Sequence, residues 1–299
     1  MQPFLQTIGH KTAKRVLTAL FAGDRPPHAL LIVGPPHVGK RHIAEELITS
    51  LFQTNRPLDA LADVTVVKRE VDPKTDKLRT QITVKQVRDL TARLSMSSFG
   101  GGWKVALIEE AHRLSEGAAN ALLKTLEEPK GQTLIILIAP SIDAVLSTVA
   151  SRCQTLRLSI VPSAELSAAL TKRGLSQPDA QAIAKRALGR PGFALRLIQD
   201  SELRARKDMA CEQVNRLFHA GLAERFGAVL TLIPKDETDK ARALSRLLDD
   251  WSEALRDRLL APDAQANGAA RALRRLQEAR LALRQNVNAH LALEHILIT

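Results

Sequence analysis

The chain has 299 residues, enough for two or three domains, and its 45% hydrophobic and 25% charged residues exclude a disordered or collagen-like protein. Its 43 Lys and Arg residues outnumber its 32 Asp and Glu residues, which gives a formal net charge of +11. Residues 1–200 hold 27 basic and 18 acidic side chains, so we expect a polyanion such as nucleotide or nucleic acid to dock there.

The aromatic and cysteine counts argue against two further classes. Seven Phe, two Trp and no Tyr leave few rings on which a single-strand binder could stack bases. Cys153 and Cys211 are too few for a disulfide framework or a four-cysteine zinc site, and they fit a reducing compartment. The N-terminus is unlike a signal peptide, and the longest apolar stretch, 134–150, is too short and too polar to span a membrane. We therefore expect a cytoplasmic protein without a membrane partner.

The first half of the chain alternates between strand and helix patterns. Apolar runs predict strands over 29–33, 105–108, 134–138 and 154–158. Helices are expected over about 11–21 and 40–52, after a cap at Thr83, and over 115–127. A polar turn at 72–76, flanked by 64–67 and 78–83, predicts a hairpin or a strand with an attached loop. This alternation predicts an α/β fold with a parallel sheet.

Only helical patterns follow Pro162, over about 163–172, 178–188 and 193–199, and then in four or five longer segments. Breaks near 158–162 and 200–206 predict three domains, 1–160, 161–203 and 204–299. The last domain carries more apolar residues on its helix faces than one small bundle needs, which predicts a partner interface. Those residues are Leu244, Leu247, Leu248, Trp251, Leu276, Leu283, Val287 and Leu291.

A phosphate-binding loop is predicted directly after the first strand. The segment reads Gly34-Pro35-Pro36-His37-Val38-Gly39-Lys40-Arg41 and matches G-x-x-x-x-G-K, with a helix pattern following. Backbone N–H groups of such a loop and of the helix N-terminus wrap a phosphate, and Lys40 would reach the β- and γ-phosphates. An ordinary tight strand-to-helix turn is the alternative interpretation.

Both positions that should bind magnesium deviate from the expected pattern. Arg41 replaces the Ser or Thr whose hydroxyl ligates Mg²⁺, and a guanidinium has no acceptor with which to bind a metal. The strand at 105–108 should end in Asp-Glu, but it ends in Glu109 and Glu110. Glu110 could orient a water as a base, or it could be a solvated charge. We therefore expect no well-ligated magnesium and no competent hydrolysis.

Two further segments carry a resemblance to a known family. These are Ala119-Asn120-Ala121-Leu122-Leu123-Lys124-Thr125-Leu126-Glu127-Glu128-Pro129 and Ser151-Arg152-Cys153. They resemble the delta-prime family of clamp-loader subunits, AAA+ proteins of the bacterial DNA polymerase III holoenzyme. The segment 189–195 is similar to the family's lid helix, and 286–294 is similar to its closing collar helix. The resemblance implies an AAA+ core, a three-helix lid and an all-α collar that holds the subunits of a ring.

The resemblance also implies a role for Arg152. In the family, the arginine at this position projects into the ATP site of a neighbouring motor subunit as an arginine finger. An arginine suits that role because it is always charged and can bind phosphate oxygens through two N–H groups. The alternative is an arginine at a helix end that pairs with a nearby carboxylate.

The chain also departs from the family's motor subunits at two sensor positions. The strand at 134–138 should be followed by a polar residue but is followed by Ala139 and Pro140, and Gly192 replaces the sensing arginine of the lid. Nucleotide, as ATP or ADP, is accordingly expected to bind weakly or not at all. Some relatives carry a four-cysteine zinc module, but the segment 53–82 contains no cysteine, so no zinc is expected.

The sequence therefore predicts a non-hydrolysing stator subunit of a clamp loader, which completes a neighbour's ATP site during loading of the sliding clamp onto primed DNA. The implied partners are the gamma/tau and delta subunits, the clamp, and DNA contacted through its phosphates. One alternative is an ATP-hydrolysing motor subunit like gamma or tau. A second is a stand-alone basic DNA-binding protein, but basic residues are scattered and their densest cluster, Arg271, Arg274 and Arg275, is typical of a solvated helix face.

Overall fold

The computed structural model describes residues 4, 6–23, 25–232, 240–259, 266–285 and 287–298. The chain divides into two compact units, Met1–Leu195 and Arg196–Thr299. The sequence-based division at 160 and 203 into core, lid and collar stays a prediction.

The first unit is built on a parallel five-stranded sheet, as the alternation of elements predicted. The strands in chain order are β1 (Ala29–Val33), β2 (Val64–Val67), β3 (Val71–Asp72), β4 (Lys77–Leu78), β5 (Lys104–Ile108), β6 (Thr133–Ala139) and β7 (Gln154–Arg157). The sheet order is β2-β5-β6-β1-β7, and β3 pairs only with β4. All five strands of the sheet run in parallel, so the carboxyl ends of β1, β5 and β6 meet at one edge.

Helices cover both faces of this sheet, which explains why its central strands are continuous apolar runs. In chain order the helices up to residue 199 are α1 (Lys11–Ala22), α2 (Lys40–Leu51), α3 (Val84–Ser95), α4 (Glu116–Glu127), α5 (Ser147–Ala150), α6 (Ser163–Thr171), α7 (Gln177–Ala187) and α8 (Pro191–Gln199). Of these, α1 and α2 pack on one face of the sheet, and α3, α4 and α5 pack on the other. Leu31 and Val33 pack into one apolar layer, while Leu30 and Ile32 pack into the opposite one. The alternation of side chains along β1 therefore supplies both halves of the core.

The hairpin lies within the region that the sequence indicated, but with shorter strands. Val71–Asp72 pairs antiparallel with Lys77–Leu78 around the polar turn. The run at 64–67 instead joins the main sheet as β2, beside β5, and Ile82 makes only a single bridge to Leu114. Of the two predicted alternatives, the structure therefore shows a hairpin that is separate from the strand at 64–67.

The second unit is all helical over its described residues. Its helices are α9 (Ser201–His219), α10 (Leu222–Leu232), α11 (Lys240–Leu259), α12 (Ala266–Arg284) and α13 (Ala289–Leu297). Leu248, Trp251, Leu276 and Leu293 are buried together in its core. Asp250 is also buried and pairs with Arg206 at 2.9 Å and with Lys207 at 2.7 Å, so its charge is compensated.

The interface predicted from apolar faces needs a correction at this point. Leu244, Leu248, Trp251 and Leu276 are at most 6% exposed, and they belong to the unit's own core. Leu247 and Leu283 pack partly against that core. Only Val287 and Leu291 of the eight residues are substantially exposed, because the five helices need the other apolar residues to pack against one another.

Candidate functional site

The predicted phosphate loop connects β1 to α2 at the carboxyl edge of the sheet. A Cβ atom at Gly34 would lie 2.2 Å from the Leu158 carbonyl oxygen, so only glycine fits there. Gly39 caps α2 without any side-chain hydrogen bond, which leaves the helix N-terminus to its backbone N–H groups. The Val38 side chain is buried, and the backbone carbonyl oxygen of Val38 lies 2.8 Å from the His10 Nε2 atom. The loop therefore has the strand–turn–helix geometry that the sequence predicted.

The Lys40 ammonium group points back at the loop itself. Its Nζ atom donates to the carbonyl oxygen of Gly34 at 2.5 Å and to that of Pro35 at 2.7 Å. Burial lowers the pKa of Lys40 to about 8, because desolvation disfavours the charged form. A phosphate would have to draw Lys40 away from both carbonyl groups.

Arg41 and Glu109, the two positions that should bind magnesium, form an ion pair with each other. The Arg41 Nη1 atom lies 2.9 Å from Oε1 of Glu109, and Arg41 Nε donates to Glu45 at 2.7 Å. The hydrogen bond to Glu45, followed by the charges of Glu109 and Glu45, raises the pKa of Arg41 despite its partial burial. At the position of the expected hydroxyl ligand, Arg41 is therefore a cationic donor that contacts two carboxylates and offers no acceptor atom to a metal ion.

Glu110, the candidate base, is engaged from the other side of the strand end. Arg69 donates to Glu110 through Nε at 2.7 Å and through Nη2 at 3.0 Å, a bidentate contact. The Arg69 Nη1 atom also donates to the Arg79 carbonyl oxygen, which ties this contact to the base of the β3–β4 hairpin. Both carboxylate oxygens of Glu110 are therefore occupied by the Arg69 guanidinium.

The start of α8 packs directly on the loop. The Gly192 N–H group donates to the His37 carbonyl oxygen at 2.8 Å, and a Cβ atom at Gly192 would lie 2.9 Å from that oxygen. The guanidinium of Arg190, two residues before Gly192, lies 4.7 Å from the centre of the Phe193 ring, and that ring lies 6.0 Å from the ring of His37. The other sensor position, Ala139, is 1% exposed at the end of β6. Neither sensor position thus presents a polar side chain to the loop.

A cavity of about 470 Å³ lies beside the loop. Its lining includes the apolar residues Ile8, Val38 and Leu195 and the polar residues Gln6, His42 and Arg173. A mostly apolar cavity with a few polar groups is the usual form of a site for a planar organic ring. The sequence contains no sign of this cavity, because its lining comes from four separate segments of the chain.

Arg152 lies at a separate position, just after α5 and before β7. Its Nε atom donates to Glu127 Oε1 at 2.6 Å, and its Nη1 atom donates to the Thr148 carbonyl oxygen at 2.9 Å. Nη2 lies 2.5 Å from the same Glu127 oxygen, and 36% of the Arg152 side chain is exposed. The carboxylate pairing weighed as the alternative is therefore present, while the side chain remains accessible.

Sequence reasoning missed the partners of these charged residues. Arg69, Glu45 and Glu127 each hold one of the predicted site residues. Only Glu45 had a usable signal, since it follows Arg41 at the i, i+4 spacing that pairs side chains on a helix. Within the described ranges, no group of three or more His, Cys, Asp or Glu side chains could hold a metal ion, and no helix is long and apolar enough to cross a membrane.

The sequence comparisons place these features among known proteins. Residues 9–162 match the family described as DNA polymerase III, delta subunit. The DNA polymerase III subunit delta' of Haemophilus influenzae is 31% identical over 217 residues, which cover 70% of this chain and 64% of that protein. The DNA polymerase III subunit gamma of Buchnera aphidicola is 31% identical over 169 residues, or 54% of this chain and 46% of that protein. The chain thus spans less than two thirds of the length of either relative.

The comparison with solved structures concerns the fold alone. The crystal structure of a DNA polymerase III gamma subunit-related protein from Thermotoga maritima superposes with a TM-score of 0.59 and covers 95% of this chain and 97% of its own. At 17% identity this likeness shows an AAA+-like α/β fold and nothing further. The family match spans more than half of the chain and includes the phosphate loop, both acidic positions and Arg152. The chain therefore belongs to the DNA polymerase III delta-subunit family, and it is similar to the delta' subunits.

Proposed function

We propose that this chain is a stator subunit of a DNA polymerase III clamp loader, which does not hydrolyse ATP and supplies Arg152 to a neighbouring subunit's ATP site. The observation that carries the first half is the ion pair between Arg41 and Glu109. It joins the two positions through which a hydrolysing subunit would bind its metal ion, so the same side chains cannot also form that site.

Three further contacts support the absence of hydrolysis. Arg69 donates to the Glu110 carboxylate, and the Lys40 ammonium group donates to carbonyl oxygens of its own loop. The His37 carbonyl oxygen accepts a hydrogen bond from Gly192 at the start of α8. A gamma-like motor role, which the Buchnera relative would suggest, needs a free base, a metal site and polar sensors. None of these requirements is met by the residues at the corresponding positions, so the stator role fits better.

Nucleotide binding is retained in this proposal only as a weak, magnesium-independent property. The loop backbone would hold the phosphates of ATP or ADP, and the cavity beside Ile8 and Val38 would hold the base. Arg41 would supply positive charge where a motor subunit uses a metal ion. Since Lys40 must first leave two carbonyl oxygens, we expect low affinity.

The second half of the proposal rests on Arg152. It lies away from the chain's own loop, it is partly exposed, and an arginine can bind two phosphate oxygens at once. Gamma/tau and delta subunits are the proposed neighbours, and the sliding clamp and primed DNA are the proposed substrates of the whole assembly, which would work in the cytoplasm. DNA would be contacted through its phosphates, consistent with the charge of +11.

The test replaces Arg152 by Ala in a complex reconstituted with its gamma/tau and delta subunits. Arginines that act in trans contribute about 10³–10⁵ in rate at one site, so we expect a clear but smaller fall in the total DNA- and clamp-stimulated ATPase of a ring with several sites. Arg152→Lys should rescue poorly, because an ammonium group cannot contact two oxygens as a fork. Arg88→Ala, which removes an exposed arginine of α3, is the matched control.

Two results would count against the proposal. Unchanged ring turnover and clamp loading with Arg152→Ala would remove the trans-acting role. Magnesium-dependent ATP turnover by the isolated chain, abolished by Lys40→Ala, would show instead that the chain is a motor subunit.

A further inference from the structure

The guanidinium of Arg152 is held from two sides by its own chain. Glu127 is the last residue of α4, and its Oε1 atom contacts both Nε and Nη2 of Arg152. Thr148 lies in α5, and its carbonyl oxygen accepts from Nη1. Two separate helices therefore fix the direction of a long side chain that would otherwise sample many rotamers.

These contacts leave part of the guanidinium available. An arginine carries five N–H donors, and the three contacts use three of them. Two N–H donors remain, and a bidentate contact to a phosphate requires two. Glu127 and Thr148 can thus hold Arg152 in place without consuming its capacity to bind an anion.

Part-buried hydrogen bonds hold the backbone at both ends of this arrangement. Cys153, next to Arg152, donates from Sγ to the Val149 carbonyl oxygen at 3.3 Å, and burial raises the pKa of its thiol to about 12. His28 contacts the Leu126 carbonyl oxygen at 2.8 Å, which fixes the end of α4 that bears Glu127. Cys153 therefore restrains the backbone beside Arg152, and His28 restrains the backbone beside Glu127.

We propose that Glu127 is a positioning residue for Arg152: it holds the guanidinium in a direction in which two N–H donors face the phosphates of the neighbouring subunit. This inference rests on the proposed function of Arg152. It predicts that the carboxylate acts only through the arginine. Loss of Glu127 should then slow phosphoryl transfer at the neighbour's site, because Arg152 would have to be ordered at each turnover.

The experiment is a double-mutant cycle in the reconstituted complex. The quantity measured is the Arg152-dependent turnover, defined as the ATPase rate that Arg152→Ala removes. We expect Glu127→Ala to reduce it about threefold to tenfold, with the KM for ATP little changed. Glu127→Gln keeps an acceptor oxygen at the same place and should lose less. The double variant Glu127→Ala/Arg152→Ala should turn over no more slowly than Arg152→Ala alone.

Glu128, the neighbouring and exposed carboxylate, provides the matched control, and Glu128→Ala should leave the rate unchanged. A purely structural role for Glu127 would lower the unfolding midpoint and the yield of assembled ring, with additive effects in the double variant. That result, or a Glu127→Gln rate above that of the unmodified chain, would overturn the positioning role. If Arg152→Ala has no effect, the proposed function itself fails and this inference fails with it. If only Glu127→Ala has no effect, the proposed function survives and the inference does not.

Discussion

Lys40 directs its ammonium group at two carbonyl oxygens of its own loop, and this placement has a measurable consequence. Burial lowers the pKa of Lys40 from 10.5 to about 8, while the unfolded chain keeps the ordinary value. Between these two pH values, the folded protein has released a proton that the unfolded chain still binds. The contribution of Lys40 to stability therefore becomes more favourable as the pH rises.

The prediction is made by comparing the protein with Lys40→Met, which has a side chain of similar length and no charge. The free energy of unfolding of the unmodified protein, relative to that of the variant, should increase from about pH 8 to about pH 10.5 and be constant below about pH 7. Urea unfolding at several pH values measures the difference, and the other titrating groups cancel because both proteins share them. A difference that is independent of pH would show that Lys40 is not desolvated in the folded state.

At the scale of elements, the contact between α8 and the phosphate loop depends on one missing side chain. The Gly192 N–H group donates to the His37 carbonyl oxygen, and the approach is too close for a Cβ atom. A motor subunit would carry an arginine at this position to sense the nucleotide. Here the space for that side chain is taken by the loop itself.

We expect Gly192→Ala to destabilise the protein by about 1–3 kcal/mol, because the added methyl group must displace the loop or the helix. Gly227→Ala is the matched control, since it lies within α10 and a Cβ atom there meets nothing within 4 Å. That control should stabilise the protein by about 0.5–1 kcal/mol, the ordinary gain of alanine over glycine in a helix. Thermal unfolding of both variants checks the prediction, and equal effects of the two would contradict it.

Element positions were largely predictable because their signals are local. Thr83 caps α3, as the sequence indicated, and the structure adds Gln86 as the second member of a capping box. The helix predicted over 115–127 is α4, with Ser115 as its cap. The run at 29–33 is β1 with the same bounds. In each case, residues close together in the sequence determine where the helix or strand begins, so no tertiary information is needed.

The ion pairs of the site were not predictable in the same way. Glu110 and Arg69 are 41 residues apart, and Glu127 and Arg152 are 25 residues apart. Whether these side chains meet depends on which strands and helices are neighbours in the fold, and a single sequence contains no signal for that. The deviations at Arg41 and Glu109 could be read as lost metal ligands, but the ion pair between them is visible only in the fold.

At the scale of the whole molecule, the sequence could not separate the core of the second unit from its surface. A helix face of leucines looks the same whether it packs against the same chain or against a partner. Leu293 is fully buried, whereas Leu291 is 61% exposed and Val287 is 41% exposed. The exposed pair is what remains of the predicted assembly surface.

We expect Leu291→Ser to leave the free energy of unfolding within about 0.5 kcal/mol of the original, since an exposed side chain contributes little to folding. The same variant should weaken co-purification with the other clamp-loader subunits, because apolar surface of this kind usually serves a partner. Leu293→Ser, two residues away, should instead destabilise the chain by about 2–5 kcal/mol. Full occupancy of Leu291→Ser in the complex would place the assembly surface elsewhere.

The ion pair between Arg41 and Glu109 also bears on how this chain could change over evolutionary time. Arg41→Thr alone would restore a hydroxyl but would leave Glu109, which is 20% exposed, and Glu45 without their shared cation. Glu109→Asp alone would shorten the carboxylate that Arg41 contacts, while the guanidinium still occupied the place of a metal ligand. Each single step towards ATP hydrolysis would therefore break or lengthen an ion-pair contact before it completed a metal site. Such mutual dependence is epistasis, and under the proposed stator role it would make ATP hydrolysis difficult to acquire by single substitutions.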